Sequence, residues 1–239
     1  MDGDVVPIFA VPLYKANIGL IETEKEYLMG DKSWVGGGTH LIQSQEDDIL
    51  EKKECSRISK EIKYHLSHYL NTVISPKYED VTLCITQSWI NIITDGFHHT
   101  HRHQNSMISG VYYINVTSRD HISFQNPMSP FSDPLSLAPR NESMYNSSSY
   151  KVSPKVGDLI LFPSWLSHGV NRDPLDFTSV RCSLSFNTFP LGRLSGSHVN
   201  HDGVNTDKML NDRKIVLGQG DLNESKHFGD FVLESYNAS

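Results

Sequence analysis

The sequence is poor in three features, and each shortage argues against one class of protein. Only three of the 239 residues are cysteines, Cys55, Cys84 and Cys182, and they lie far apart. No disulfide framework is therefore expected. The cysteines are expected to be reduced thiols of a cytoplasmic protein. No apolar run approaches the roughly 18 residues that a membrane span requires. The third shortage is positive charge. The net charge of -7 disfavours a protein that binds bulk nucleic acid, because such a protein needs a basic surface.

What remains is the composition of a globular protein, with 38% hydrophobic and 21% charged residues. The length suits one larger domain, as all-β sandwiches and barrels often are. We expect one domain over residues 1–192, with a β-rich core at about 81–190 and supporting strand and helix at 1–80. Residues 193–239 are polar and are expected to form a C-terminal extension.

The N-terminal third is predicted to contain one clear helix. Ser44 is expected to cap it, and Pro76 lies just past its end. Its apolar residues recur at spacings of three and four; they are Ile58, Ile62, Leu66, Tyr69, Leu70 and Val73. Residues 5–13 are β-rich but contain two prolines, which predicts an edge strand or an extended arm. The glycine run at 34–38 is expected to form a flexible loop.

The middle of the chain is predicted to be β-rich, because β-branched and alternating stretches are separated by turn signals. The expected strands are 81–93, 107–116, 158–162 and 179–187. Residues 121–124 are expected to return as the hairpin partner of 107–116. The long polar, proline-rich segment 126–155 is interpreted as a loop or lid over a site.

Four of the twelve histidines lie within six residues, directly before the second predicted strand. Neutral imidazole is well suited to binding a transition metal near pH 7, so a metal site is the first hypothesis. In an extended strand, residues two apart point the same way. His99, His101 and His103 would then share one face, with His98 on the other. The alternative is a polar strand edge with a chance run of histidines.

Two residues from later strands are candidates to complete a site. His168 follows a buried strand and a turn, and Arg181 begins a polar row that alternates with apolar residues. A polar row can simply face solvent. A buried guanidinium, however, requires an anionic partner, which it grips through two charge-assisted hydrogen bonds. A dicarboxylate cosubstrate would supply that partner.

At this point the sequence resembles the iron(II)- and 2-oxoglutarate-dependent oxygenases, and specifically a bacterial and phage branch related to prolyl hydroxylases. The resemblance spans roughly residues 5–192. It is carried by four motifs, which are Ser88-Trp89-Ile90-Asn91; His101-Arg102-His103-Gln104-Asn105-Ser106 with Ser109-Gly110-Val111-Tyr112-Tyr113; Gly157-Asp158 with Phe162-Pro163-Ser164-Trp165-Leu166-Ser167-His168; and Arg181-Cys182-Ser183-Leu184-Ser185-Phe186-Asn187.

The resemblance implies a mainly β fold with flanking helices, a double-stranded β-helix of the jelly-roll or cupin-like kind. It implies Fe(II) with His101 and His168 as ligands, and 2-oxoglutarate as cosubstrate. Arg181, with Ser183 and Tyr113, would hold the far carboxylate of 2-oxoglutarate. Asn91 is also expected to bind the cofactor. Dioxygen would react there to hydroxylate a small-molecule or peptide substrate, releasing succinate and carbon dioxide.

One position departs from the wider superfamily, where the early motif is usually H-x-D and supplies a carboxylate ligand. Here His103 stands in place of that aspartate. A site of His101, His103 and His168 is the simplest resolution. The alternatives are that His99 pairs with His101, or that Asp95 or Asp158 supplies a carboxylate.

Two other functions remain open on the sequence alone. One is a cupin-like metal- or ligand-binding module without turnover, and the other is a three-histidine metal dioxygenase that does not use 2-oxoglutarate. Arg181 favours the oxygenase, because neither rival needs a buried cation on that strand. A cytoplasmic enzyme is expected, acting in the host cytoplasm where a phage encodes it. Substrate identity and oligomeric state are not specified by the sequence.

Overall fold

The computed structural model describes residues 7, 9–36, 41–94, 97–128, 140–171 and 180–194. These residues form two α-helices and two antiparallel sheets. The helices are Glu22–Met29 (α1) and Ser56–Tyr69 (α2). The larger sheet contains, in spatial order, Tyr14–Asn17 (β1), Asp158–Pro163 (β9), Ile108–Asn115 (β6), Arg181–Leu191 (β11), Thr82–Ile93 (β4), Leu41–Ser44 (β3) and Trp34–Gly36 (β2). The smaller sheet contains Phe97–His101 (β5), His168–Asn171 (β10), His121–Gln125 (β7) and Ser149–Val152 (β8).

The larger sheet is covered on both faces, which explains the nearly continuous apolar runs of β6 and β9. On β6, Tyr112 and Ile114 belong to the apolar cluster that includes the helices. The alternate residues Val111 and Tyr113 belong to a second cluster, which they share with the smaller sheet. The two sheets therefore enclose a core of their own. This is the mainly β, double-stranded β-helix architecture that was predicted, with helices on its outer face.

The predicted helix exists, but it begins at Ser56 and not after Ser44 as predicted. Ser44 ends β3, where its hydroxyl accepts a hydrogen bond from the backbone N–H of Ile90 at 3.0 Å. Two short 3₁₀ turns, Ile49–Glu51 and Lys53–Cys55, then precede α2. Pairing of β3 with β4 satisfies the backbone around Ser44, so sheet formation outweighs the local capping signal. The predicted apolar stripe is confirmed within α2, where Ile58, Ile62, Leu66 and Tyr69 are buried. Beyond α2, Leu70 is buried but Val73 is exposed.

Other N-terminal predictions also differ from the structure in part. Of the two alternatives for residues 5–13, the edge strand does not form at 7 or 9–13, and the extended arm remains a prediction. Strand β1 begins at Tyr14, after Pro12, whose missing N–H cannot join a ladder. Within the predicted glycine loop, residues 34–36 form β2, and 37–38 lie outside the described residues. Helix α1 was not predicted. Its Glu24 is buried and accepts two hydrogen bonds from Arg57 of α2, at 2.6 and 2.7 Å.

The predicted hairpin between 107–116 and 121–124 is also wrong. Strand β7 pairs with β10 and β8 in the smaller sheet, while β6 pairs with β11 and β9 in the larger one. The connection therefore passes from one sheet to the other, as closing a double-stranded β-helix requires. Hydrophobic alternation predicts that a strand forms, but not which strand is its neighbour.

The predicted loop at 126–155 is interrupted by β8, which forms the edge of the smaller sheet. Residues 129–139 and most of the predicted extension, 195–239, lie outside the described residues. The interpretations of these segments as a lid and an extension remain predictions. Neither α1 nor α2 has the length and apolar character needed to cross a membrane.

Gly110 illustrates how tightly β6 and β11 approach each other. A Cβ added at Gly110 would lie 2.1 Å from Cζ of Phe186, whose ring is 1% exposed and has no room to swing away. We expect Gly110→Ala to overpack the core and to lower the free energy of unfolding by about 1–3 kcal/mol in urea titrations.

Gly36→Ala is the matched control, because no heavy atom lies within 4 Å of the position that a Cβ would take there. Its free energy of unfolding should stay within about 0.5 kcal/mol of the unmodified protein. Equal losses in the two variants would contradict the packing explanation.

Candidate metal centre

Three histidines from two strands and a turn converge at one end of the smaller sheet. His101 on β5 lies directly opposite His168 on β10 in the antiparallel register. His103 follows β5, and its backbone N–H donates to the carbonyl of Ser164 at 3.0 Å. One ligand-capable nitrogen from each of the three side chains lies within 4.8 Å of the others. The structure therefore brings together the three side chains that the sequence predicted to meet, although His103 is not itself in the strand.

Hydrogen bonds orient two of these rings for metal binding. Nδ1 of His101 lies 2.8 Å from the carbonyl oxygen of His99, and Nδ1 of His168 lies 2.9 Å from that of Leu166. A carbonyl oxygen only accepts, so each Nδ1 must carry the proton and donate it. The lone pair of each ring is then on Nε2. Such a contact fixes the tautomer and orientation that a metal-binding histidine needs.

The environment keeps the buried rings neutral. Burial lowers the pKa of His103 to about 3, with a further contribution from the neighbouring histidines. Burial likewise lowers the pKa of His168 to about 4, against the opposing effect of its hydrogen bond to Leu166. Neither ring needs to lose a proton at neutral pH before it can bind a cation.

The fourth histidine near the cluster is His98, not His99. Strands β5 and β10 contain a bulge, since His101 to His98 on β5 spans one residue more than His168 to Val170 on β10. The extra residue rotates His98 onto the face of His101, and the two ring centroids lie 4.3 Å apart. His99 is exposed and packs on Phe97. The expected sharing of one face by His99, His101 and His103 is therefore wrong.

No carboxylate joins the three histidines among the described residues. Asp158 instead binds the N-terminal strand, accepting from Lys15 Nζ and Asn17 Nδ2 at 2.8 Å each. Burial opposes its ionisation, but these hydrogen bonds outweigh burial and lower the pKa of Asp158. Asp95, the other carboxylate considered, lies outside the described residues.

Arg181 is a buried cation with no acidic partner in the described part of the chain. Its side chain is 2% exposed, and its Nε has no hydrogen-bond partner there. The guanidinium lies 5.2 Å from the ring centre of Tyr113, whose hydroxyl is also buried without a partner. Burial raises the pKa of Tyr113, while the charge of Arg181 opposes that effect. Leaving such groups unpaired is costly, which favours an anionic ligand here.

The register of three neighbouring strands explains why the polar row faces inward. Ser183 on β11 is paired with Tyr113 of β6 on one side and with Asn91 of β4 on the other. All three are buried, as is Arg181 two residues before Ser183. The alternative that this row faces solvent is therefore excluded.

Asn91 is already engaged by the protein. Its Oδ1 accepts from Gln43 Nε2 at 2.8 Å and from Trp89 Nε1 at 3.2 Å, and its Nδ2 donates to Ser185 Oγ at 2.8 Å. These contacts fix the indole of Trp89, whose ring centroid lies 6.0 Å from that of His103. Trp89 stands in one of the four motifs, but no role was predicted for it. Its position two residues before Asn91 on one strand was the signal that places it at the site.

The histidine cluster and the arginine open into one cavity. Its walls include His101, His103, His168, Arg181 and Ser183. The cavity has a volume of about 30 Å³. The three imidazoles and the buried Arg181 guanidinium thus line one cavity, which places a potential metal site beside a potential anion site.

Comparison of the sequence with models of known protein families finds one similar family. A family model described as "Putative 2OG-Fe(II) oxygenase" matches residues 87–187, which include every residue of the cluster and Arg181. This stretch, which carries every candidate site residue, is similar to the 2OG-Fe(II) oxygenases. No curated protein matches the sequence.

Solved structures with the same fold include other proteins of this type. The chain resembles the non-heme alpha ketoglutarate dependent epimerase SnoN from nogalamycin biosynthesis, with 13% identity, a TM-score of 0.53, and coverage of 80% of this chain and 81% of SnoN. It also resembles HygX from Streptomyces hygroscopicus, solved with nickel and 2-oxoglutarate bound, with 13% identity, a TM-score of 0.51, and coverage of 82% and 91%. At this identity the likeness shows the fold alone.

Oxygenases of this type use Fe(II), 2-oxoglutarate and dioxygen. The residues that line the cavity are chemically suited to Fe(II) and 2-oxoglutarate. Three imidazoles, each with a nitrogen within 4.8 Å of the others, suit a first-row divalent metal. The Nε of Arg181 and the hydroxyl of Tyr113, which have no hydrogen-bond partner among the described residues, suit a carboxylate.

Proposed function

We propose that this oxygenase is a hydroxylase in which His101, His103 and His168 hold Fe(II). Arg181, assisted by Tyr113 and Ser183, would bind the far carboxylate of 2-oxoglutarate. The observation that carries this proposal is the shared cavity, with three imidazoles on one wall and, on another, a buried guanidinium whose Nε has no hydrogen-bond partner among the described residues. The two other functions considered from the sequence do not account for Arg181.

The chain's own residues would bind, orient and insulate the reactants. The bound iron and 2-oxoglutarate would supply the dioxygen chemistry that yields succinate, carbon dioxide and a hydroxylated substrate. Arg181 and the hydroxyls of Tyr113 and Ser183 would fix the cosubstrate at its far end. Trp89, held by Asn91, would form a wall beside His103. That Asn91 itself binds the cofactor remains a prediction, because its amide oxygen already accepts two hydrogen bonds.

The cavity is narrow for the proposed ligand. A volume of about 30 Å³ has room for only about two water centres. Binding of 2-oxoglutarate therefore requires the lining side chains to move apart.

The direct test is to incubate the protein with Fe(II), 2-oxoglutarate and dioxygen and to measure succinate. Omission of Fe(II) is the control. Panels of metabolites and peptides would then be compared for stimulation of succinate release, with the product examined for an added hydroxyl. Release of succinate without any hydroxylated product would retain the oxygenase assignment and reject the hydroxylase.

The proposed role of His103 predicts a graded loss of iron affinity. His103→Ala removes a ligand, so Fe(II) affinity measured anaerobically should fall by at least the roughly 10- to 100-fold that loss of a supporting partner costs. His103→Asp replaces a neutral ligand with an anionic one and restores H-x-D. This variant should retain Fe(II), with reduced turnover because the shorter side chain has to reach the ion.

His99→Ala is the matched control, because His99 is an exposed histidine two positions from His101. Its Fe(II) affinity should be unchanged. Near-normal affinity in His103→Ala, with a loss in His99→Ala, would instead support the pair His99 and His101.

We further propose that residues 1–192 act as one oxygenase domain in the cytoplasm. All three cysteines are free thiols, and burial raises the pKa of both Cys55 and Cys182 to about 12. Such thiols remain protonated and unreactive, which suits a reducing compartment without requiring one.

A further inference from the structure

A second cavity lies beside the histidine pocket and shares one wall with it. Its volume is about 160 Å³, and its lining consists of Gln43, Ser44, Asp47, Gln87 and Trp89. Trp89 also lines the histidine pocket, where its ring lies 6.0 Å from His103 between centroids. The two spaces are thus separated by a single side chain.

The backbone holds this second cavity firmly. Gln87 and Trp89 alternate along β4 and so point to one side of the sheet. The segment that carries Asp47 is fixed against the same strand, because the carbonyl of Asp47 accepts from the N–H of Ser88 at 2.6 Å. The hydroxyl of Ser88 in turn accepts from the N–H of Leu50 at 2.8 Å. The Asp47 carboxylate is therefore presented from an anchored loop.

Several polar groups of this cavity have no partner on another side chain within the described part of the chain. Asp47 has no ion pair there, and Lys52 binds Asp48 instead at 2.9 Å. The side-chain amide of Gln87 has no hydrogen-bond partner there. Gln43 donates from Nε2 to Asn91, which leaves its Oε1 free to accept. The cavity thus offers one carboxylate, one complete amide and one further acceptor.

The charge state of Asp47 also favours a cationic ligand. Burial raises the pKa of Asp47 against the opposing effect of a hydrogen bond from its own backbone N–H, and the neighbouring Asp48 and Glu51 add to the increase. The ionised Asp47 carboxylate is therefore partly removed from water, and its hydrogen bonds do not fully offset the free-energy cost of that charge. A cation bound beside it would relieve that cost, and the face of Trp89 adds a second surface that attracts cations.

The size of the cavity restricts what it can hold. Pockets for whole drug-sized ligands are usually about 300–1,000 Å³, whereas this one is about half the lower limit. It can accommodate the end group of a larger molecule. The rest of that molecule would pass Trp89 toward the histidine cluster.

We propose that this second cavity binds a protonated amine or guanidinium at one end of the substrate. The proposal rests on the proposed function, since it assigns the other end of the same molecule to the oxidation site. Asp47 would pair with the cation, Gln43 and Gln87 would provide hydrogen bonds, and the indole of Trp89 would cover it. Trp89 would then contact both the bound cation and the histidine site.

The first experiment measures binding without turnover. Butylguanidinium and butylammonium would be titrated calorimetrically into the full-length protein, with butylurea as the uncharged analogue. Both cations should bind saturably, and butylurea should bind far more weakly. Asp47→Asn should weaken cation binding about tenfold or more, because a charged hydrogen bond is lost.

Asp48→Asn is the matched control, because Asp48 is the next residue, pairs with Lys52 and does not line the cavity. Its cation affinity should stay within about twofold of the unmodified protein. Absence of saturable cation binding, equal affinity for butylurea, or unchanged affinity in Asp47→Asn would each overturn the assignment.

The second experiment separates this inference from the proposed function. In the substrate panel, compounds that stimulate succinate release should carry an amine or a guanidinium. Stimulation by neutral compounds alone would reject the cation site while the oxygenase assignment stands. No succinate release with any compound, together with Asp47-dependent cation binding, would retain the cation site and reject the catalytic proposal.

Discussion

Replacing His168 with alanine should abolish Fe(II)-dependent succinate formation from 2-oxoglutarate. His168 is 4% exposed, lies opposite His101 in the sheet, and is held by its Nδ1 contact with Leu166. His101 and His103, the other two members of the cluster, are already assigned as ligands, so neither can take its place. We expect turnover at the background rate measured without enzyme, and Fe(II) affinity reduced by more than about 100-fold.

The variant must be distinguished from one that simply fails to fold. His168→Gln keeps more of the side-chain volume beside Phe162, whose ring lies 4.6 Å from that of His168. Both variants should retain the circular dichroism spectrum and a cooperative urea transition. His99→Ala provides a histidine control on the adjacent strand. A folded His168→Ala protein with most of its activity would show that the metal lies elsewhere.

The sequence predicted the parts of this fold that depend on local pattern. Strand β4 and the apolar stripe of α2 follow from β-branched residues and from three-four spacing. The local spacing of apolar and β-branched residues does not predict which strands pair with each other. The start of α2, the strand β2 and the neighbours of β7 all depend on hydrogen bonds to distant strands, which override local signals such as the serine at position 44.

The candidate site was predictable for a different reason. His101, His168 and Arg181 stand in the motifs that carry the family resemblance, and each also has a chemical reason to be buried near a metal or an anion. The error concerned His98 and His99, because a β-bulge changes which residues share a face and cannot be located from sequence alternation alone. The cavity near Asp47 could not be foreseen either. It is formed by residues of β3, β4 and the segment between β3 and α2, which only the folded sheet brings together.

The buried charge of Arg181 leads to the second large effect. Arg181→Ala should weaken binding of 2-oxoglutarate, because each hydrogen bond lost to a charged group costs roughly 1.5–3 kcal/mol, about 10- to 100-fold in affinity. Arg181→Lys keeps the charge but loses the planar fork, so its affinity should be intermediate. Affinities would be measured calorimetrically with metal-loaded protein under anaerobic conditions.

A cosubstrate analogue identifies which end of the molecule Arg181 holds. 2-Oxopentanoate keeps the 2-oxo acid end of 2-oxoglutarate but lacks the far carboxylate, so its weaker binding should be nearly the same in the unmodified protein and in Arg181→Ala. Arg193→Ala is the matched arginine control, since Arg193 follows the same strand, is exposed, and pairs with Asp80 at 3.2 Å. Its 2-oxoglutarate affinity should not change. If Arg181→Ala weakened both ligands equally, the arginine would act on the metal end or on the fold. If it weakened neither, the far carboxylate would be bound by another group, and the buried guanidinium would need a different anion.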